Sequence, residues 1–216
     1  MFDYTLVVTS CNRHALLRRT LDSFIKYADI LPVTTIIVED GDVDAPDWIS
    51  CPHQNNNLPK MWIKNPRRLG QLANIDRGYS EVKTEYLFHC EDDWEFFETG
   101  FVRESYEILA AHPRVSRVGL LDKDQIIPVI NDPRFPFRIA QPYFHGFWGG
   151  MSWQPGLRRL SDYKKVFGTF SGQVLPETFK GRSFDCNAFR EAYFSHMMLG
   201  RGYVTAELRQ CVRHIG

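Results

Sequence analysis

Short apolar runs alternate with segments of helical periodicity along the first 120 residues of the chain. The runs are rich in Val, Ile, Leu, Phe and Thr and predict strands buried on both faces, at residues 4–9, 34–38, 61–63, 85–89 and 118–121. Apolar residues recurring every three or four positions predict helices, after Asn12, which can cap the first of them, and at residues 69–79 and 101–111. The alternation predicts a parallel, doubly wound α/β sheet. The stretch 43–58, rich in Asp, Pro and Asn, predicts a surface excursion.

The pattern changes after about residue 125. Prolines at 128, 133, 136 and 142 interrupt regular structure, and residues 143–150 are rich in aromatics and glycine. A helix is predicted at residues 187–199 and a strand at 203–206. We expect this half to be a mixed extension of the sheet, with long loops that form one wall of a cleft. The length of 216 residues suits one domain, with halves at 1–122 and 123–216.

Charge and cysteine content exclude several classes of protein. The 26 basic and 26 acidic residues give a net charge of zero, which argues against a nucleic-acid partner or an anionic membrane surface. No run approaches 18 apolar residues, so no transmembrane segment is predicted, and no signal-peptide pattern opens the chain. A cytoplasmic protein is expected, peripheral to a membrane only through partners. Five widely spaced cysteines without a C-x-x-C pair predict neither disulfides nor a zinc site.

Two acidic clusters follow predicted strands. They are Glu39-Asp40-Gly41-Asp42 and Glu91-Asp92-Asp93. Parallel sheets bind ligands outside the carboxyl ends of their strands, so both clusters are candidates for one site. Three adjacent acids repel one another, and Mg²⁺ or Mn²⁺ would neutralise them, together with phosphate oxygens. Taken singly, a solvated Asp-Gly turn and a helix-capping cluster are the simpler interpretations.

The ordered set of motifs resembles the family-two glycosyltransferases, which have the GT-A (Rossmann-like) fold. Residues 6–13 (LVVTSCNR) look like the first strand and its donor-facing loop. Residues 36–42 (IIVEDGD) are similar to the "VDDGS" strand end of the family. Glu91-Asp92-Asp93 resembles the DXD motif, with Glu in place of the first Asp. The resemblance covers nearly the whole chain.

The resemblance implies a set of donor and metal ligands. The implied donor-binding residues are Thr9, Cys11, Arg13, Glu39, Asp40, Gly70, Asn74, Glu91 and Asp92. Asp93 is implied as the ligand of Mn²⁺ or Mg²⁺, and His214 can reach the same cation. The implied donor is a nucleotide sugar, with a UDP-sugar favoured.

The acceptor half matches less closely. Residues 152–159 resemble the acceptor-side strand and turn, and the acidic pair before a "GY" turn falls on Arg190-Glu191. Glu191 is therefore the candidate general base, with Glu177 and Asp185 as alternatives. Trp148 and Trp153 could stack on an acceptor, although core packing is the simpler role for either ring.

The resulting hypothesis is metal-dependent, inverting transfer of a sugar to a glycan, lipid-linked or other hydroxyl acceptor. A nucleotidyltransferase would share the acidic site but should carry a Gly-rich loop after the first strand, and residues 10–14 contain no glycine. A non-catalytic sugar- or nucleotide-binding module is the other alternative, because Arg190 replaces the first acid of the pair.

Overall fold

The computed structural model describes residues 2–50, 59–123, 128–142, 150–179, 181–183 and 187–216. The helices are α1 (His14–Tyr27), α2 (Asp47–Ser50), α3 (Gln71–Ser80), α4 (Phe101–Ala111), α5 (Leu160–Val166) and α6 (Asn187–Gly200). The strands are β1 (Tyr4–Ser10), β2 (Thr34–Glu39), β3 (Lys60–Lys64), β4 (Tyr86–Glu91), β5 (Trp94–Phe96), β6 (Val115–Asp122), β7 (Val129–Asn131), β8 (Arg138–Ala140), β9 (Gly156–Arg159), β10 (Thr178–Phe179), β11 (Arg182–Ser183) and β12 (Val204–His214).

One mixed sheet organises the molecule. Its strand order is β3-β2-β1-β4-β9-β6-β12-β8-β7. The first four strands in this order are mutually parallel, and β6 is parallel to β12. Strand β9 runs antiparallel between β4 and β6 and joins the two halves of the chain. The predicted mixed α/β sheet, parallel in its first part, is confirmed.

Hydrophobic side chains cover both faces of this sheet. Leu6 and Val8 of β1 pack in one buried cluster with Phe24 of α1, whereas Val7 packs in a second cluster with Tyr79 of α3. Because successive side chains in a strand point to opposite faces, β1 is buried on both sides. The polar end of β1, at Ser10, therefore lies at the carboxyl edge of the sheet.

Several predicted elements differ from the structure. The strand expected at 203–206 is β12, with eleven residues. The apolar pattern of the sequence did not reveal this length, because Glu207 interrupts the pattern. In the structure Glu207 is buried and forms an ion pair with Arg117 of β6. Strand β5 was not predicted, and it pairs antiparallel with β12 directly after the second acidic cluster. Strands β7 and β8 fit between the prolines that were expected to interrupt regular structure.

Two local expectations in the first half were wrong. Asn12 does not cap α1; it has a φ of 58°, and its side-chain oxygen accepts a hydrogen bond from the backbone N–H of Asp42 at 2.9 Å. Residues 43–58 are not only a surface excursion, because α2 places Ile49 in the core; positions 51–58 lie outside the described residues.

None of the described helices combines the length and apolar character needed to cross a bilayer. Cys11, Cys90 and Cys211 are free thiols.

Candidate functional site

Both acidic clusters lie at one edge of the sheet. The register pairs Ser10 of β1 with Glu39 of β2, and Thr9 with Glu91 of β4. Three neighbouring parallel strands therefore end at the same level. This is the juxtaposition that the sequence pattern predicts.

A cleft of about 290 Å³ opens at this edge. It is lined by Thr9, Ser10, Cys11, Arg13, Asp40, Arg68, Gly70, Gln71, Asn74 and Glu91. Seven of the nine residues predicted to bind the donor are in this group. The other two, Glu39 and Asp92, are fully buried and do not line the cleft.

Asp40 is fixed at the cleft by a network of donors. Its Oδ1 accepts hydrogen bonds from Asn65 Nδ2 at 2.8 Å and from Leu69 N at 2.7 Å, and its Oδ2 accepts one from Gly70 N at 2.8 Å. Asn65 Nδ2 also donates to Asn74 Oδ1 at 2.9 Å. Gly70 has a φ of 85°, a conformation that favours glycine. The carboxylate thus ties the start of α3 to the end of β2.

Glu39 and Asp92 shape the backbone of the loop after β1. Glu39 is fully buried, and its Oε1 accepts hydrogen bonds from Asn12 N and Gly41 N, both at 2.8 Å. Asp92 is also fully buried and accepts a hydrogen bond from Cys11 N at 3.3 Å. In the structure both acids therefore bind the protein backbone, and their contacts to a donor stay a prediction.

Asp93 and His214, the two predicted metal ligands, lie close together next to Arg13, which lines the cleft. The antiparallel pairing of β5 with β12 brings His214 Nε2 to 3.3 Å from Asp93 Oδ2. The same oxygen accepts a hydrogen bond from Arg13 Nη1 at 2.8 Å. Arg13 also forms an ion pair with Asp92. Asp93 Oδ1 is buried and has no hydrogen-bond partner.

Asp93 and His214 form a partial set of ligands, which fits a divalent cation whose remaining ligands are water and the oxygens of a bound phosphate. Among the described residues, no group of three His, Cys, Asp or Glu side chains converges to hold a metal by itself. Mg²⁺ characteristically takes only one or two carboxylates and completes its shell with water and substrate phosphates. The unpaired Asp93 Oδ1, with the His214 imidazole beside Asp93, provides such an incomplete set.

Two glutamates with raised pKa values approach the site from different halves of the chain. Glu91 Oε1 accepts a hydrogen bond from Gln71 Nε2 at 2.7 Å, and burial raises the pKa of Glu91 to about 7. Glu191 Oε1 accepts hydrogen bonds from Trp153 N at 2.9 Å and Ser152 Oγ at 3.4 Å. Burial likewise raises the pKa of Glu191 to about 7, against the opposing effect of these hydrogen bonds. Each is a carboxylate able to exchange a proton near neutral pH.

The remaining predicted residues are distributed differently. Trp153 is only 2% exposed and packs against Phe170 and Phe194, which is the core packing that was the simpler of its two expected roles. Glu177 is exposed just before β10. Trp148 and Asp185 lie outside the described residues.

Sequence reasoning missed three residues that line the cleft, namely Ser10, Arg68 and Gln71. Arg68 lies just before α3. Gln71 begins α3, next to the predicted Gly70. Position at the amino end of a helix that lines the site was the signal that could have identified both residues.

Comparison with known proteins places these features in a family. The family model for glycosyl transferase family 2 matches residues 5–196. A search of curated proteins by sequence finds no significant match.

Solved structures share the fold at low sequence identity. S. aureus TarS 1-349 has a TM-score of 0.65 and 12% identity over 99% of this chain and 60% of that one. Mannosyltransferase PcManGT from Pyrobaculum calidifontis, in complex with GDP-Man and Mn²⁺, has a TM-score of 0.65 and 15% identity over 95% of this chain and 54% of that one. GalNAc-T7 with UDP, GalNAc and Mn²⁺ has a TM-score of 0.68 and 14% identity over 100% of this chain and 43% of that one. The chain thus spans 60% or less of the length of these three structures.

Proposed function

This chain belongs to glycosyl transferase family 2, and from that premise we propose that it transfers a sugar from a nucleoside-diphosphate sugar to a hydroxyl acceptor, with inversion and with the help of Mn²⁺ or Mg²⁺. The observation that carries the proposal is the cleft at the carboxyl edge of the sheet. It joins an ordered carboxylate, Asp40, to two arginines and lies beside the Asp93–His214 pair.

The polarity of the cleft suits a nucleoside diphosphate. Asp40 can accept hydrogen bonds from a base N–H or from ribose hydroxyls, as acids at strand ends do in nucleotide-binding folds. Arg13 and Arg68 provide planar, permanently charged donors for phosphate oxygens. The volume is at the lower end of the range of small-molecule pockets. GalNAc-T7 and a second structure of TarS 1-349 were solved with UDP, and PcManGT was solved with GDP-Man; we favour a UDP-sugar here.

Asp93 and His214 are the residues that would hold the cation. A divalent cation held by these residues would supply positive charge to offset the negative charge of the departing diphosphate. Arg13 and Arg68 add positive charge at the cleft wall next to it.

Glu191 is the proposed general base. In the reaction, the acceptor oxygen attacks the anomeric carbon from the side opposite the diphosphate, the bond from that carbon to the diphosphate oxygen breaks, and the hydroxyl proton passes to the Glu191 carboxylate. A pKa of about 7 leaves a large fraction of Glu191 ionised at neutral pH while keeping it basic enough to take the proton. A glycan or a lipid-linked saccharide is the proposed acceptor class.

A two-step assay tests the proposal. A thermal-shift panel of UDP-, GDP- and other nucleotide sugars, with and without Mn²⁺, identifies the donor through ligand-linked stabilisation. That donor is then incubated with pooled saccharide acceptors. We expect release of the nucleoside diphosphate together with a glycosylated acceptor. Release of pyrophosphate would indicate a nucleotidyltransferase, and donor binding without turnover over the whole acceptor pool would indicate a binding module.

A further inference from the structure

Two buried arginines hold the short segment that contacts Glu191. This segment, residues 151–155, supplies the backbone N–H of Trp153 to the Glu191 carboxylate. Arg158 Nη2 donates to Ser152 O at 3.4 Å. Arg117 Nη2 donates to the carbonyl oxygens of Gln154 and Pro155, at 3.2 and 3.3 Å. The guanidinium groups of both arginines therefore hold this segment in place.

Helix α6 meets the same segment at two points one turn apart. Glu191 accepts from Trp153 N, and Ser195 Oγ both accepts from Met151 N at 2.9 Å and donates to Met151 O at 3.2 Å. Residues four apart lie on one face of a helix. Displacement of the segment would therefore move the Glu191 carboxylate and not merely remove one of its hydrogen bonds.

The charges of the two arginines are compensated differently. Arg117 forms an ion pair with Glu207 at 3.2 Å. Arg158 is 5% exposed and forms no ion pair with any carboxylate in the described part of the chain. Its guanidinium carbon lies 6.0 Å from the centroid of the Tyr79 ring. Burial lowers the pKa of Arg158 to about 10, so the side chain stays charged at neutral pH, and Glu191 opposes that fall.

A buried charge without a partner is strongly destabilising, and Glu191, which binds the same segment, is an acid available to compensate it. We propose that Arg158 is a positioning residue for Glu191: Arg158 orients the segment of residues 151–155 against α6. Its positive charge also favours the ionised carboxylate of Glu191, which is the form that accepts a proton. This inference rests on the proposed glycosyl transfer, because it assigns a function to the environment of the proposed base.

The groups that act on Glu191 come from three strands. Arg117 of β6 and Arg158 of β9 favour its ionised form, whereas Glu91 of β4 and Glu191 repel each other. Without the Arg158 charge, burial and the repulsion from Glu91 still raise the pKa of Glu191, and Arg117, which is already paired with Glu207, still lowers it. The pKa of Glu191 must then rise, and the pH at which the base becomes active must rise with it.

The test compares Arg158→Met with Arg158→Lys and with a matched control, Arg159→Met. Arg159 also binds backbone carbonyls, those of Leu109, Pro113 and Val115, together with Asp162, but none of these hydrogen bonds reaches residues 151–155. The readouts are kcat and KM against pH for the donor chosen by the thermal-shift panel, donor affinity by calorimetry, and Tm.

For Arg158→Met we expect kcat at pH 7 to fall about 10- to 100-fold, with little change in donor Kd, since a general base contributes roughly 10²–10⁴-fold. The acidic limb of its pH profile should move up by about one pH unit or more. Arg158→Lys, which keeps the charge, should restore the pH midpoint and leave kcat reduced. Arg159→Met should lower Tm and keep the midpoint of the unmodified protein.

The outcomes separate this inference from the proposed function. Failure of the unmodified protein to release nucleoside diphosphate at any pH, with donor bound, contradicts the proposed transfer itself. An active protein in which Arg158→Met keeps the original pH midpoint and kcat overturns the role of Arg158. If Arg158→Met does not fold, Arg158→Lys decides alone, and an unchanged kcat in that variant overturns the positioning role.

Discussion

At the scale of single residues, Asp93 has two neighbours that approach the same oxygen. Arg13 Nη1 and His214 Nε2 lie 2.8 and 3.3 Å from Asp93 Oδ2, while Oδ1 has no hydrogen-bond partner. A cation bound by Asp93 and His214 would compete with the Arg13 guanidinium for this carboxylate. Arg13 also lines the cleft, where it can bind phosphate oxygens instead. Metal and donor binding are therefore expected to reinforce each other.

Replacement of Asp93 by Asn tests the metal site. The amide keeps the size of the side chain but loses the negative charge that a hard cation requires. We expect Mn²⁺ to stop raising donor affinity and kcat to fall about 100-fold or more, the size of effect that follows loss of one strong electrostatic contribution to a transition state. Asp42→Asn is the matched control, because Asp42 is an exposed acid at the same edge of the sheet. Manganese-dependent binding that survives in Asp93→Asn, measured by calorimetry, would remove Asp93 from the metal site.

Replacement of Glu191 by Gln separates activity from stability. Because the pKa of Glu191 is raised in the folded protein, the unfolded chain, whose glutamate carboxyl has its ordinary pKa of 4.5, loses its proton first as pH rises. Folding stability contributed by the protonated form is therefore present below pH 4.5 and is lost as pH rises through about 7. Gln cannot ionise, so the variant should show a smaller decline in Tm between pH 4.5 and about 7, and it should bind donor but lose turnover.

The unmodified protein should show the complementary pH dependence. Transfer should increase as pH rises through about 7, because only the ionised Glu191 can accept a proton. Normal turnover by Glu191→Gln in a steady-state assay would transfer the role to another acid, with Glu177 and Asp185 as the predicted candidates.

Residue roles were predictable from the sequence where chain position alone determines them. Asp40 and Asp93 follow apolar runs, so their place at the carboxyl edge of the sheet follows from the pattern. Burial depends on packing against distant residues, and for that reason the structural role of Glu39 was not predicted. The hydrogen bond of Glu39 to Asn12 N comes from a loop 27 residues away in the sequence.

At the scale of elements, helix α3 carries one wall of the cleft. Gly70, Gln71 and Asn74 lie at or near its start. The helix approaches the sheet closely at Gly78, where an added Cβ would lie 2.6 Å from Val7 Cγ1 and 3.0 Å from Val38 Cγ2. Close packing at its far end therefore fixes the cleft wall at its near end.

Gly78→Ala should weaken donor binding without changing any residue of the cleft. The added methyl group has no room against Val7 and Val38, so α3 must shift, and overpacking of this kind costs roughly 1–3 kcal/mol of stability. Gly200→Ala, at the end of α6, is the control, because nothing lies within 4 Å of its added Cβ. Urea denaturation measures stability and calorimetry measures the donor Kd. A Gly78→Ala variant that matches Gly200→Ala in both would show that α3 tolerates the shift.

Most elements of the first half were predictable because their apolar patterns are local. The full length of strand β12 was not, since the buried Glu207 interrupts its apolar run and is stabilised by Arg117, 90 residues away in the sequence. The position of β9 between β4 and β6 is likewise a long-range pairing. Hydrophobic periodicity carries no information about such pairings.

At the scale of the whole molecule, the sheet combines a parallel half with a mixed half, joined through β9. The first half provides the cleft, and the second half provides Glu191, whose charge adds to the larger effect of burial in raising the pKa of Glu91. Donor binding and base catalysis are thus assigned to different halves that meet at one edge. The family and fold were predictable from the ordered motifs, whereas the acceptor is not determined by any motif in the sequence.

The most direct test of the account is calorimetric titration of the protein with UDP in the presence of Mn²⁺ and in the presence of EDTA. We expect binding that depends on Mn²⁺, that is lost in Asp93→Asn, and that is weakened in Asp40→Asn, because both acids lie at the same edge of the sheet. Equal UDP affinity with Mn²⁺ and with EDTA, or an affinity that neither substitution changes, would contradict a cation-assisted nucleotide site in this cleft.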